Sequence, residues 1–79
     1  MATLRLFASA REAAGCSSDQ VAGATVGDVL DSAVERYGEQ FALVLEHSKV
    51  WCNGEPTVRE SPVGADDEVA VLPPVSGGC

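Results

Sequence analysis

Positive charge is scarce in this sequence: five lysines and arginines stand against twelve aspartates and glutamates, a formal net charge of −7. Phosphate backbones are held by Lys and Arg with release of counterions, so no nucleic-acid partner is expected. An anionic membrane surface is disfavoured on the same ground. No apolar run approaches the roughly 20 residues of a membrane span. The opening Met1-Ala2-Thr3-Leu4-Arg5 lacks the basic region and apolar core of a signal peptide. Histidine occurs once, at His47, and no Cys–His or Ser–His–Asp set follows from the spacing; His47 reads as a surface loop residue. Cys16, Cys52 and Cys79 are odd in number and widely spaced, which fits neither a disulfide framework nor a zinc site. No metal is therefore expected. There is no glycine-rich phosphate loop or dinucleotide fingerprint, so no cofactor bound by the chain itself is expected either. Together these absences point to the cytoplasm.

What is present suits a single small domain. A chain of 79 residues buries only about 60% of the surface its unfolded form exposes. Its hydrophobic content of 46% is enough for a compact core, with little interior left for a deep pocket. A binding module or subunit is favoured over a free-standing enzyme. The acidic balance either serves solubility or steers a partner with a basic patch.

Along the chain, Thr3–Ser9 alternates as a strand, with Leu4, Leu6 and Ala8 on one face and Arg5, Phe7 and Ser9 on the other. Ser9 and Glu12 have capping-box spacing for a short helix that Gly15 ends. A second strand over Ser18–Ala22 pairs with the first, and Gly23 marks the turn out of it. Val26, Val29, Leu30, Ala33, Val34 and Tyr37 form one apolar helical stripe, with Thr25 and Asp28 as its cap and Gly38 as its end. Phe41, Leu43, Val44 and Leu45 form a short helix or a packed loop. Lys49–Asn53 reads as a strand, Asn53-Gly54 as a hairpin turn, and a return strand is expected around Thr57-Val58. A last strand, Glu68–Leu72, is ended by Pro73-Pro74. The first and last strands are expected side by side at the sheet centre. The fold class is α+β: a small mixed sheet packed on one main helix.

Three sets of side chains read as structural. Asp66-Asp67-Glu68 are expected to be solvated, Arg11 to form an ion pair, and Cys16 and Cys52 to be small, partly buried residues.

The C-terminus is different. Val75-Ser76-Gly77-Gly78-Cys79 has no means of continuing the sheet, and its two consecutive glycines are costly to order. Residues 1–74 are read as the domain and 75–79 as a flexible tail. From Pro74 to Gly78 the tail reaches roughly 13–14 Å. It is either a frayed end or a segment that a partner orders.

The chain resembles the MoaD/ThiS family of ubiquitin-like sulfur carriers, and within it the molybdopterin branch. The resemblance rests on Leu6-Phe7-Ala8, Arg11-Glu12, Gly15, Thr25-Val26, Val50, Asn53, the run from Gly64 to Ala70, and the run from Leu72 to Gly78. It implies a β-grasp fold and a role as small subunit of molybdopterin synthase. An E1-like enzyme would adenylate the Gly78 carboxylate with Mg-ATP, sulfur transfer would give a thiocarboxylate, and the large synthase subunit would take in the tail. Carried over by position, Gly78 bears the sulfur. Gly77, Ser76, Val75, Pro74 and Pro73 thread the partner, and Phe7 and Leu72 either dock it or pack in the core. Cys79 departs from members that end at the double glycine, which implies a precursor trimmed by a metallopeptidase, an added residue, or an adduct of cysteine delivery. Other destinations for the sulfur (cysteine, thiamin, a siderophore or transfer RNA) and a ubiquitin-like modifier or interaction domain remain alternatives.

Overall fold

The computed structural model describes residues 1–74. Strand β1 (Ala2–Leu6) leads into helix α1 (Ala8–Ala14), and β2 (Ser18–Val21) returns antiparallel to β1. Helix α2 (Val26–Tyr37) and helix α3 (Glu39–Glu46) follow. Then come β3 (Lys49–Cys52), β4 (Glu55–Pro56) and β5 (Glu68–Leu72). The sheet order is β2-β1-β5-β3-β4, with β5 parallel to β1 and antiparallel to β3. First and last strands thus lie side by side at the centre of a mixed sheet, as the β-grasp expectation requires.

Alternation along the strands decides the core. Ala2, Leu4 and Leu6 of β1 and Val69 and Val71 of β5 are buried on one face, beneath Val26, Val29, Leu30 and Ala33 of α2. The predicted stripe is realised, with Val34 and Tyr37 half-buried at its edge. Phe41 of α3 is fully buried and meets the Tyr37 ring edge-on at 5.2 Å. Each such Leu, Val or Phe contributes about 1.5–3 kcal/mol relative to exposure. The apolar cluster of residues 41–45 is therefore helical, and α1 and α3 join the main helix on the same side of the sheet.

Helix α2 starts where the sequence placed it. The Thr25 hydroxyl accepts from the Asp28 N–H at 3.1 Å, while the Val26 and Gly27 N–H groups donate to the Ser61 and Arg59 carbonyls. The first N–H groups of the helix are thus satisfied by its cap and by the loop after β4. Gly23 does more than turn the chain. A Cβ there would lie 2.7 Å from the Val29 backbone nitrogen, so the connection from β2 presses against α2 at a point only glycine fits.

Two expectations are corrected. The first strand ends at Leu6, not Ser9: Phe7 is still extended (φ −128°, ψ 152°), but Ala8 turns to positive φ (50°) and the Phe7 carbonyl accepts from the Ala10 and Arg11 N–H groups that open the helix. Phe7 is therefore the N-cap residue, without a side-chain cap, and Ser9 lies inside the first turn where no capping box with Glu12 forms. The return strand is Glu55–Pro56 rather than Thr57-Val58. Asn53 (φ 53°) and Gly54 (φ 83°) form a two-residue turn with both residues left-handed, so pairing resumes at once as Cys52 meets Glu55. Val58 is left 61% exposed.

Candidate functional site

All three helices cover one face of the sheet, and the other face is open. The strand registers place Arg5, Ala70 and Trp51 in one row across it, and Leu72 beside Lys49 in the next. Phe7 continues β1 beyond Leu6, the partner of Val71, so it lies next to Leu72 at the end where β5 runs out. Leu72 and Trp51 are half-buried and stand apart from the core cluster. Phe7 is 39% exposed, and the Arg5 guanidinium lies 5.9 Å from its ring centroid. Phe7 and Leu72 thus lie outside the core cluster, on the open side of the sheet.

Pro73 and Pro74 carry the chain off this end of β5. Val75, Ser76, Gly77, Gly78 and Cys79, the residues to which threading, sulfur transfer and processing were assigned, lie outside the described residues. Pro74 also borders a shallow groove of about 310 Å³ with Ser9, Gln40, Leu43, Val44 and His47, between α1 and α3. His47 is exposed just after α3, as expected of a surface residue.

The open face differs in charge from the chain as a whole. It carries Arg5 and Lys49 against Glu68, which pairs with Arg5 at 3.2 Å. Most of the twelve acids therefore lie elsewhere. A basic partner is steered towards the helical side, while the open face offers apolar contact framed by two cations.

The other candidates resolve into structural roles. Asp67 is not merely solvated. Its carboxylate accepts from the Asn53 amide at 3.0 Å and the Gly64 N–H at 2.8 Å. These bonds, the Asn53 one foremost, hold it below the usual carboxylate range. Asn53 in turn accepts from the Glu68 N–H at 3.0 Å, so one side chain ties the hairpin to the start of β5. Burial, helped by Asp67, pushes the Cys52 thiol up, away from the thiolate a nucleophile needs. Arg11 forms no ion pair among the described residues, contrary to expectation; the pairs there are Arg5–Glu68, Arg36–Asp19 and Arg59–Asp31.

Sequence reasoning missed two features. Trp51 faces the open side because β3 alternates, a signal readable in Lys49-Val50-Trp51-Cys52 once the strand is set. The second is a polar cluster joining β2 to the end of α2. The Tyr37 hydroxyl donates to Asp19 at 2.5 Å, Arg36 donates to the same oxygen at 2.6 Å, and the Cys16 sulfur lies 3.4 Å from the hydroxyl. The Tyr37 bond, then the Arg36 bond, hold Asp19 below its ordinary range. Partial burial, then the bond to Asp19, pushes Tyr37 up. No single-sequence signal joins residues so far apart in the chain. Among the described residues no group of three or more His, Cys, Asp or Glu side chains is placed to hold a metal, and no helix is long and apolar enough to cross a membrane.

Comparison with known proteins places this geometry. The model of the ThiS family matches residues 4–78. Small archaeal modifier protein 1 of Haloferax volcanii is 38% identical, over 94% of this chain and 97% of that protein. The molybdopterin synthase sulfur carrier subunit of Aedes aegypti is 34% identical, over 95% of this chain and 86% of that protein. The crystal structure of the Haloferax volcanii modifier superposes with a TM-score of 0.86 at 36% identity, covering 96% of this chain and 97% of the other.

Proposed function

The chain belongs to the ThiS family, and from that premise we propose that it carries sulfur as a thiocarboxylate on Gly78, as the small subunit of a molybdopterin synthase. The observation that carries this reading is where the central strand ends. β5 runs out beside the open apolar patch of Phe7 and Leu72, and the family match continues through the tail to Gly78. A partner seated on the patch receives the tail in a fixed direction, so the carrier works by positioning a reacting atom in another protein's site.

The chemistry follows from the C-terminus. A carboxylate is a poor electrophile, so an E1-like enzyme adenylates Gly78 with Mg-ATP, giving an acyl group with AMP as leaving group. Sulfur replaces AMP, and the large synthase subunit holds the thiocarboxylate where its sulfur attacks the pterin precursor. The chain supplies the reacting atom and its partners supply the catalysis.

Cys79 stands in the way of this cycle. While Cys79 follows Gly78, the Gly78 carbonyl is tied in a peptide bond and offers no carboxylate to adenylate, and misplacement of a reacting group by about 1 Å can cost on the order of 100-fold in rate. A metallopeptidase that removes Cys79 completes the carrier. The test compares the full-length chain with one ending at Gly78 as substrates of the adenylating enzyme, read as pyrophosphate release. The trimmed chain is expected to react about 100-fold faster, and equal rates contradict the proposal.

A second reading is a ubiquitin-like modifier joined to lysines of other proteins, supported by the 38% identity with small archaeal modifier protein 1. Lysine-linked conjugates in the cell favour the modifier, and sulfur delivery to a pterin favours the carrier. Delivery to cysteine, thiamin or a siderophore uses the same Gly78 chemistry with another recipient.

A further inference from the structure

The edge strands of a sheet present backbone groups to any other chain unless something occupies them. The two edges of this sheet are β2 and β4. β4 is two residues long and includes Pro56, which offers no N–H, so it is a poor template. β2 has four residues, Ser18–Val21, none of them proline. Among the described residues it pairs with β1 alone. It is the edge to which a further strand can be added.

The register decides which of its groups point outward. The Leu6 N–H donates to the Ser17 carbonyl at 2.9 Å, and Leu4 stands opposite Asp19 and Ala2 opposite Val21. Hydrogen-bonded pairs alternate along an antiparallel ladder. Ser17, Asp19 and Val21 therefore turn their backbone to β1, and Ser18, Gln20 and Ala22 turn theirs outward. Gln20 is the middle of the outward row, and both of its groups are taken. Its N–H donates to the Asp19 carboxylate at 2.8 Å, and its carbonyl accepts from the Arg36 guanidinium at 3.2 Å. The next outward carbonyl, that of Ala22, accepts from the Ser32 hydroxyl at 3.2 Å. Ser32 and Arg36 lie four residues apart on α2, about 6 Å along its axis. Alternate residues of a strand are roughly 6.6–6.8 Å apart, so the helix caps the edge in step with it. The Asp19 carboxylate is itself held, by Tyr37 at 2.5 Å and by Arg36 at 2.6 Å.

We propose that Asp19 and Arg36, with Ser32, form a guard that keeps the β2 edge closed to a second copy of this chain. A second copy fits because antiparallel pairing about a two-fold axis at Gln20 is self-complementary. Each Gln20 exchanges its N–H and C=O with the Gln20 of the second copy, through the same two groups that the guard occupies. This register sets Asp19 opposite Val21 of the second copy, so no like charges stand directly opposite. Guard and pairing compete for one N–H and one carbonyl. While the guard holds, the chain stays single and its open face remains available.

The test compares the wild-type chain with the double variant Asp19→Ala/Arg36→Ala by sedimentation equilibrium. One acid and one base are removed together, so the formal charge stays at −7 and net repulsion is unchanged. The double variant is expected to dimerise with a dissociation constant at least about tenfold below that of wild type. Hydrogen-exchange protection of its Gln20 amide is expected to rise with protein concentration. Adding Gln20→Pro removes the outward N–H and leaves the bonds to β1, so it is expected to return the double variant to a monomer. Should circular dichroism show the double variant unfolded, Arg36→Ala alone, which frees the carbonyl, decides by the same measurements. Association of the folded variant no stronger than that of wild type, or a dimer that survives Gln20→Pro, overturns the proposal.

Discussion

The Arg5 guanidinium sits 5.9 Å from the centre of the exposed Phe7 ring, at the edge of the uncovered sheet face. A cation over an aromatic ring at an exposed site contributes about 0.5–1 kcal/mol, and the ring lies outside the core cluster. With most of the ring's surface covered but none of it in the core, Phe7→Ala is expected to lower stability by about 1–2 kcal/mol. Partner affinity is expected to fall by at least tenfold, about 1.4 kcal/mol, as for a buried aromatic anchor. Thermal melting and titration calorimetry against the adenylating enzyme read the two effects. A large loss of melting temperature with unchanged affinity contradicts the docking role.

Gly23 is held against α2, where an added Cβ meets the Val29 backbone nitrogen at 2.7 Å. Backbone cannot yield as a flexible side chain does. Gly23→Ala is expected to destabilise the fold by about 1–3 kcal/mol, measured by urea unfolding. A stability equal to wild type contradicts the close packing of this connection.

Asn53 holds the hairpin to β5 through its bonds to Asp67 and to the Glu68 N–H, and it occupies a left-handed position. Asn53→Ala loses both bonds and keeps the backbone strain, at a cost of about 2–3 kcal/mol. Asn53→Gly, which relieves the strain but loses the same bonds, is expected to fall between the two. Denaturant unfolding of the three proteins checks this order, and equal stability of all three contradicts it.

The polar cluster gives the fold a pH dependence at both ends. The folded-state pKa of Asp19 is depressed by Tyr37 and Arg36. Its contribution is present above the unfolded value near pH 4 and is lost as pH falls through the folded value. Tyr37 is shifted upward, so its contribution is present below about pH 10 and is lost as pH rises through the folded value. Tyr37→Phe should flatten both limbs of the stability profile, measured as melting temperature from pH 2 to pH 11. An unchanged profile contradicts the cluster.

Much of the fold was legible because one periodicity dominated each segment. Leu4 with Leu6, and Val69 with Val71, alternate strictly, and the six-residue stripe of α2 repeats at helical spacing. Asn53-Gly54 announced its turn by composition. Errors came where tertiary contact outweighed a local signal. Ser9 and Glu12 have the spacing of a cap, but Phe7 is drawn into the N-cap position by the end of β1. The short turn moved the return strand from Thr57-Val58 to Glu55–Pro56. At the site, residue type alone left Phe7 and Leu72 undecided between core and surface, and only the register against Val71 and Lys49 put them on the open face. Cross-chain polar links, such as Tyr37 to Asp19, have no periodicity to betray them.

The central claim is that Gly78 becomes the sulfur-bearing end of the chain. Its most direct test is the intact mass of the protein recovered from its native cell, with the C-terminal peptide sequenced. The account predicts a population ending at Gly78, part of it with one carboxylate oxygen replaced by sulfur. A population ending uniformly in unmodified Cys79, with the activating enzyme present, would contradict it.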